Sequence, residues 1–93
     1  MTRSKALLLE GPVTIQTVPM LVEQIPSMLN EGILCVDFAK VTVVDSAAVA
    51  LALEWRRLAS SRNLPVTFLN LPETLRNLAN LYGVTDVITS SSA

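Results

Sequence analysis

Asp45 and Ser46 are the residues of this chain whose types and position best suit chemistry. They stand in the run Val43-Val44-Asp45-Ser46-Ala47-Ala48-Val49-Ala50-Leu51, after a strand-like segment, Ile33 to Asp37, and ahead of a helical one ending near Arg62. Asp and Ser are favoured where a helix begins, because their oxygens accept hydrogen bonds from first-turn N–H groups that lack a partner. On that reading the pair is a helix cap. On a second reading Ser46 displays a hydroxyl where the helix dipole favours an incoming negative group. Asp37 and Asp45 resemble paired carboxylates only on paper; they better suit the end of a strand and the start of a helix. The sequence contains no histidine. It also lacks a cysteine cluster, a glycine-rich phosphate loop and a nucleophile elbow, so neither catalysis, nor a metal, nor a cofactor is expected.

Ninety-three residues suit one domain, 1–93, with 89–93 expected as a frayed polar tail. With 51% apolar and 16% charged residues, the composition excludes disorder. A net charge of −1, with Arg56, Arg57 and Arg62 as its one basic cluster, gives no footprint for nucleic acid. Cys35 is alone in an apolar stretch, which suits a buried, inert thiol and a reducing compartment. No apolar run approaches the ~18 residues of a membrane span. Arg3 and Lys5 precede Ala6-Leu7-Leu8-Leu9, but Glu10, Gly11 and Pro12 end that run too early for a signal-peptide core. A cytoplasmic location is therefore expected. So apolar a chain of this size should also leave an exposed apolar patch, and such patches mark partners.

The elements that would position Asp45 and Ser46 alternate in type. Lys5 to Glu10 reads as a strand, Gly11-Pro12 as a turn, and Val13 to Ile15 as a second strand antiparallel to the first. Thr17 and Pro19 start a helix carrying Leu21, Ile25, Met28 and Leu29 at helical spacing; Pro26 should kink or split it, and Gly32 should end it. Ile33 to Asp37 is an apolar strand, and Phe38 to Val44 a connecting, partly extended segment. Ser46 to Arg62 is the longest helix. Leu64 to Leu69 is a strand, Pro72 opens a helix with Leu75, Leu78, Ala79 and Tyr82 as its stripe, and Gly83 closes it. Val84 to Ile88 reads as a last short strand. Such alternation predicts an α/β domain with a mixed, mainly parallel sheet and right-handed crossovers.

At about 100° per residue, Ala47, Ala48, Leu51, Ala52, Trp55, Leu58 and Ala59 share one broad face of the long helix. Val49, Ala50 and Leu53 fall opposite, followed there by Arg56, Arg57 and Ser60. Chance exposure of three small residues is one explanation. The other is a docking surface made of Ser46, Val49, Ala50 and Leu53, with Asp45 and Thr42 at its rim.

These features resemble the STAS domain family (sulfate transporter and anti-sigma factor antagonist). Val36-Asp37-Phe38, then Val43-Val44-Asp45-Ser46-Ala47-Ala48 and the long helix, are similar to the family's strand followed by its Asp-Ser-Ala-Gly motif. Ala48 stands where the motif has glycine, a change that does not disfavour the helix but sets a side chain where a kinase would approach. The resemblance spans nearly the whole chain and implies a sheet with helices packed mainly on one face. In one branch the motif serine, here Ser46, is phosphorylated by a partner serine kinase that controls an anti-sigma factor. In the other, a small STAS subunit sits on the cytoplasmic ATPase of the bacterial Mla phospholipid ABC transporter, the toluene-tolerance type, and is peripheral to the inner membrane through that complex. Leu9-Glu10-Gly11, Thr17 to Leu21, Val44-Asp45-Ser46, Leu78 to Val84 and the short C-terminus look closer to the second branch.

Overall fold

The structure is a computed structural model and describes residues 5–89. Strand β1 spans Lys5–Val13, helix α1 Val18–Asn30, strand β2 Ile33–Val44 and helix α2 Ser46–Ser61. Strand β3 (Thr67–Leu69), helix α3 (Glu73–Leu81) and the short helix α4 (Thr85–Thr89) follow. The strands pair in the order β1-β2-β3, and both ladders are parallel. The expected α/β class with a mainly parallel sheet is therefore what forms. Residues 90–93 of the expected tail, and Arg3, lie outside the described residues.

Four local expectations are corrected. Gly11-Pro12 does not turn the chain: β1 continues through it, so no antiparallel first pair exists among the described residues. Gly11 adopts φ +77, a left-handed value that glycine reaches without a Cβ clash. It jogs the strand, and β2 absorbs the jog with a change of register between Gly11 and Val13. Phe38 to Val44 is no connector but the second half of β2, paired with β1 as far as Val13↔Val44 and anchored by the buried Phe38. Pro26 does not split α1, because Ile25 and Leu29, both buried, hold its last turns onto the core. The expected strand over Val84 to Ile88 does not form; Thr85–Thr89 is the helix α4 instead. The amides of Val87 and Ile88 both donate to the Val84 carbonyl, and the Thr89 hydroxyl donates to Thr85 O at 2.8 Å.

The helices cover one face of the sheet. Leu9, Val36, Phe38 and Phe68 are buried, while the strand neighbours Leu8, Ala39 and Leu69 are exposed, as alternation across a pleated sheet requires. Helix α2 packs against α1 and against both α3 and α4. Its Leu51, Ala52, Trp55 and Ala59 are almost wholly buried in the resulting core. Arg62, its C-cap, donates to the Asn30 amide oxygen at 2.6 Å and so ties the end of α2 to the end of α1.

Asp37 closes the β2–β3 ladder rather than ending its own strand. It pairs with Leu69, and its Oδ1 accepts from the side chain of Asn70 and from the backbone of Ala39, each at 2.9 Å. The Asn70 bond, then the Ala39 bond, hold its pKa below the usual carboxylate value. The folded carboxylate thus takes up its proton at lower pH than the unfolded one. Its contribution is complete above the unfolded value of about 3.9 and disappears as pH falls through the lower, folded value. Asp37→Asn keeps an acceptor oxygen but not the charge. Thermal melts are expected to show a Tm deficit for the variant at neutral pH that narrows as pH falls below about 4.

Candidate functional site

The start of α2 is built by one carboxylate. Asp45 has an extended backbone and occupies the N-cap. Its Oδ1 accepts from the Ala47 amide at 2.8 Å, the side-chain capping bond expected of Asp at this position. Its Oδ2 accepts from the Ile15 amide at 3.0 Å, thirty residues away in sequence. Asp45 therefore caps α2 and fastens the β1–α1 loop to it. That loop is braced from its other end by Thr17, whose hydroxyl accepts from the Thr14 amide at 2.9 Å and donates to Pro12 O at 3.0 Å.

Ser46, the first residue of α2, is exposed, and its hydroxyl makes no hydrogen bond among the described residues. The displayed-hydroxyl reading and the cap reading thus hold for different residues: Asp45 caps, Ser46 faces water. Ala50, one turn on, is also exposed, and Leu53 is half-buried and partly packed on the core. Val49 is the correction. It is 3% exposed and belongs to the core. Packing of α2 against three helices widens its buried arc beyond the one that faces the sheet, and Val49 falls inside it. The exposed stripe is consequently Ser46, Ala50, the edge of Leu53, and Arg57.

The far end of this stripe is less basic than its sequence implies. Arg56 turns inward, with its guanidinium carbon 5.2 Å from the Phe68 ring centroid and Nη2 donating to Ile88 O at 3.3 Å. Arg57 forms a two-pronged pair with Glu54, Nη2–Oε2 at 2.6 Å and Nε–Oε1 at 3.0 Å. Thr42 is exposed on β2 and lines a shallow depression with Val43, Pro72 and Thr74, at the margin of the site.

Sequence reasoning missed the apolar part of the surface. Ile15, whose backbone is held by Asp45, is 69% exposed, and Val43, two residues before Asp45, is 57% exposed. Both were read as strand or connector residues, and β-branching favours extended backbone without saying which side chain faces water. Cys35 is half-buried; burial, then the Asp37 charge, raise its pKa and keep it a thiol. No group of acidic, histidine or cysteine side chains among the described residues is arranged to hold a metal ion.

The chain matches the family described as "Mlab, STAS domain" over residues 2–89. The solved structure of the anti-sigma factor antagonist SpoIIAA in its unphosphorylated form is similar to it in fold, with a TM-score of 0.70 at 17% sequence identity. That likeness covers 100% of this chain and 84% of the other. No protein of curated function matches the chain.

Asp45→Ala removes the cap and the tie to Ile15 together. Urea denaturation is expected to show a loss of about 0.5–2 kcal/mol from the cap alone, with faster hydrogen exchange at the Ile15 and Ala47 amides. Asp45→Asn, which keeps an acceptor, is expected to lose a smaller amount.

Proposed function

The chain belongs to the STAS domain family, and on that premise we propose that it is a non-enzymatic subunit that docks on the ATPase of a bacterial Mla-type phospholipid ABC transporter and supports it. The observation that carries this reading is the exposed surface at the start of α2: Ser46 and Ala50 on the helix, Ile15 and Val43 on the adjoining loop and strand, with the Asp45 carboxylate occupied by the Ala47 and Ile15 amides. Such a surface offers apolar contact with one hydroxyl among it, and each large side chain fully buried by a partner contributes roughly 1.5–3 kcal/mol. The family description points to the Mla branch. No helix among the described residues is long and apolar enough to cross a membrane. On this reading the protein sits at the cytoplasmic side of the inner membrane through its partner.

A second reading, an anti-sigma factor antagonist switched at Ser46, is favoured by the exposure of that hydroxyl at a helix N-terminus. Phosphorylation there adds roughly −1.5 to −2 charge where the dipole favours it, leaving the fold intact and changing the docking surface. Ala48 is no obstacle to a kinase, because its side chain is wholly buried.

Pull-down with the transporter ATPase separates the two. Ile15→Arg and Ala50→Arg are each expected to weaken capture by about tenfold or more, a loss of at least ~1.4 kcal/mol, while Leu81→Arg, a change at an exposed site on α3, leaves it intact. Unchanged capture by both surface variants overturns the proposed surface. Absence of ATPase binding, together with phosphate on Ser46 after incubation with an anti-sigma serine kinase, overturns the transporter reading in favour of the second.

A further inference from the structure

Thr17 stands at the N-cap of α1, yet its side chain makes no capping bond. Threonine at this position ordinarily accepts from a first-turn amide. Here the hydroxyl turns back toward the end of β1, accepting from the Thr14 amide at 2.9 Å and donating to Pro12 O at 3.0 Å. The side chain that could cap α1 is given over to the loop 14–17.

Burial pins the ends of this loop and not its middle. Val13 and Val18, on either side, are buried, but none of Thr14, Ile15, Gln16 and Thr17 is. The shape of the loop therefore comes from hydrogen bonds, and these use every amide from 14 to 18. The Ile15 amide donates to Asp45 Oδ2 at 3.0 Å and the Gln16 amide to Thr14 Oγ1 at 3.3 Å. Those of Thr17 and Val18 both donate to Thr14 O, at 2.9 and 2.8 Å. No N–H from 14 to 18 is left over to hold an anion, as a backbone nest does. What the loop offers is side chain, and its large apolar one is Ile15, at 69% exposure.

We propose that Thr17 is a positioning residue for docking: its hydroxyl holds the loop in the shape that presents Ile15, and so sets affinity for the partner without touching it. The proposal rests on the docking surface inferred above and concerns the same ATPase. That partner then has to offer an apolar socket for Ile15, the chemistry of an interface anchor. A loop that becomes ordered only on binding loses conformational entropy at that moment, and one ordered beforehand loses less. Asp45 contributes to the same order, but it also caps α2, so its variants disturb two elements. Thr17 makes no helix cap, and its variants report on the loop.

Calorimetric titration of the intact chain into the transporter ATPase, with hydrogen exchange on the free chain, tests this. Thr17→Val keeps the side-chain shape and removes the hydroxyl. It is expected to weaken binding by about fivefold or more and to speed exchange at the Thr14 to Gln16 amides. Thr17→Ser, which restores the hydroxyl, is expected to bring affinity back to within about twofold of the wild type. Thr89→Val deletes a comparable hydroxyl bond on α4, to Thr85 O at 2.8 Å, and is expected to leave affinity unchanged. The decisive readout is a double-mutant cycle with Ile15→Ala. Because Thr17 acts by presenting Ile15, the effect of Thr17→Val is expected to shrink below about twofold once the isoleucine is gone. A Thr17→Val chain that binds as tightly as the wild type overturns the proposal. So does a loss that stays the same in the Ile15→Ala background, which is what a merely structural role predicts. Neither result touches the docking reading; a wild-type chain that does not bind the ATPase overturns both.

Discussion

The Asp45 carboxylate, shared between the Ala47 and Ile15 amides, is the interaction on which the site depends. One oxygen satisfies a first-turn amide that the helix itself leaves without a partner. The other accepts from a loop that leaves the far end of β1. A helix N-terminus and a crossover loop are thereby tied together at the C-terminal ends of β1 and β2. In open α/β sheets this is the rim where binding surfaces form, because loops there converge without interrupting the ladders. Ser46 and Ile15 are exposed because Asp45 holds the backbone beneath them.

The rest of the fold serves that corner by burying α2. With alanines at 47, 48, 52 and 59, α2 packs closely against its neighbours, and the bulk needed to fill the core comes from Trp55, Phe38 and Ile25. Phe38 and Phe68 meet edge-on, with centroids 6.0 Å apart and planes at 81°, and Arg56 lies over Phe68. With Arg56 half-buried against Phe68 and Arg57 paired to Glu54, the exposed face of α2 carries less positive charge than its sequence implies. Its character is then set by Ser46, Ala50 and the apolar side chains of the adjoining loop and strand, which suits a protein partner better than an ionic ligand.

The sequence was most legible where a single local rule had no competitor. Asp45 at the start of α2, Gly32 and Gly83 after helices, Pro72 ahead of α3, and the Leu75–Ala79 stripe all stand where capping and periodicity predict. It misled where two rules competed. Gly11-Pro12 signals a turn, yet a left-handed glycine can equally jog a strand whose partner bulges to match. Val84, Val87 and Ile88 are β-branched, which favours a strand, but their spacing of three and four is helical, and burial of Ile88 against the core decided for the helix.

Chain order, spacing and residue type determined the α/β class, the family, and which residue starts the central helix, because those follow from interactions within a few residues of one another. The direction each side of that helix faces was decided only in three dimensions. A helical wheel separates two sides of a cylinder but does not say how many neighbours the cylinder has. Three helices pack on α2, so Val49 and Arg56 turned inward, and a loop thirty residues upstream contributed Ile15 to the surface through a hydrogen bond that no local pattern encodes.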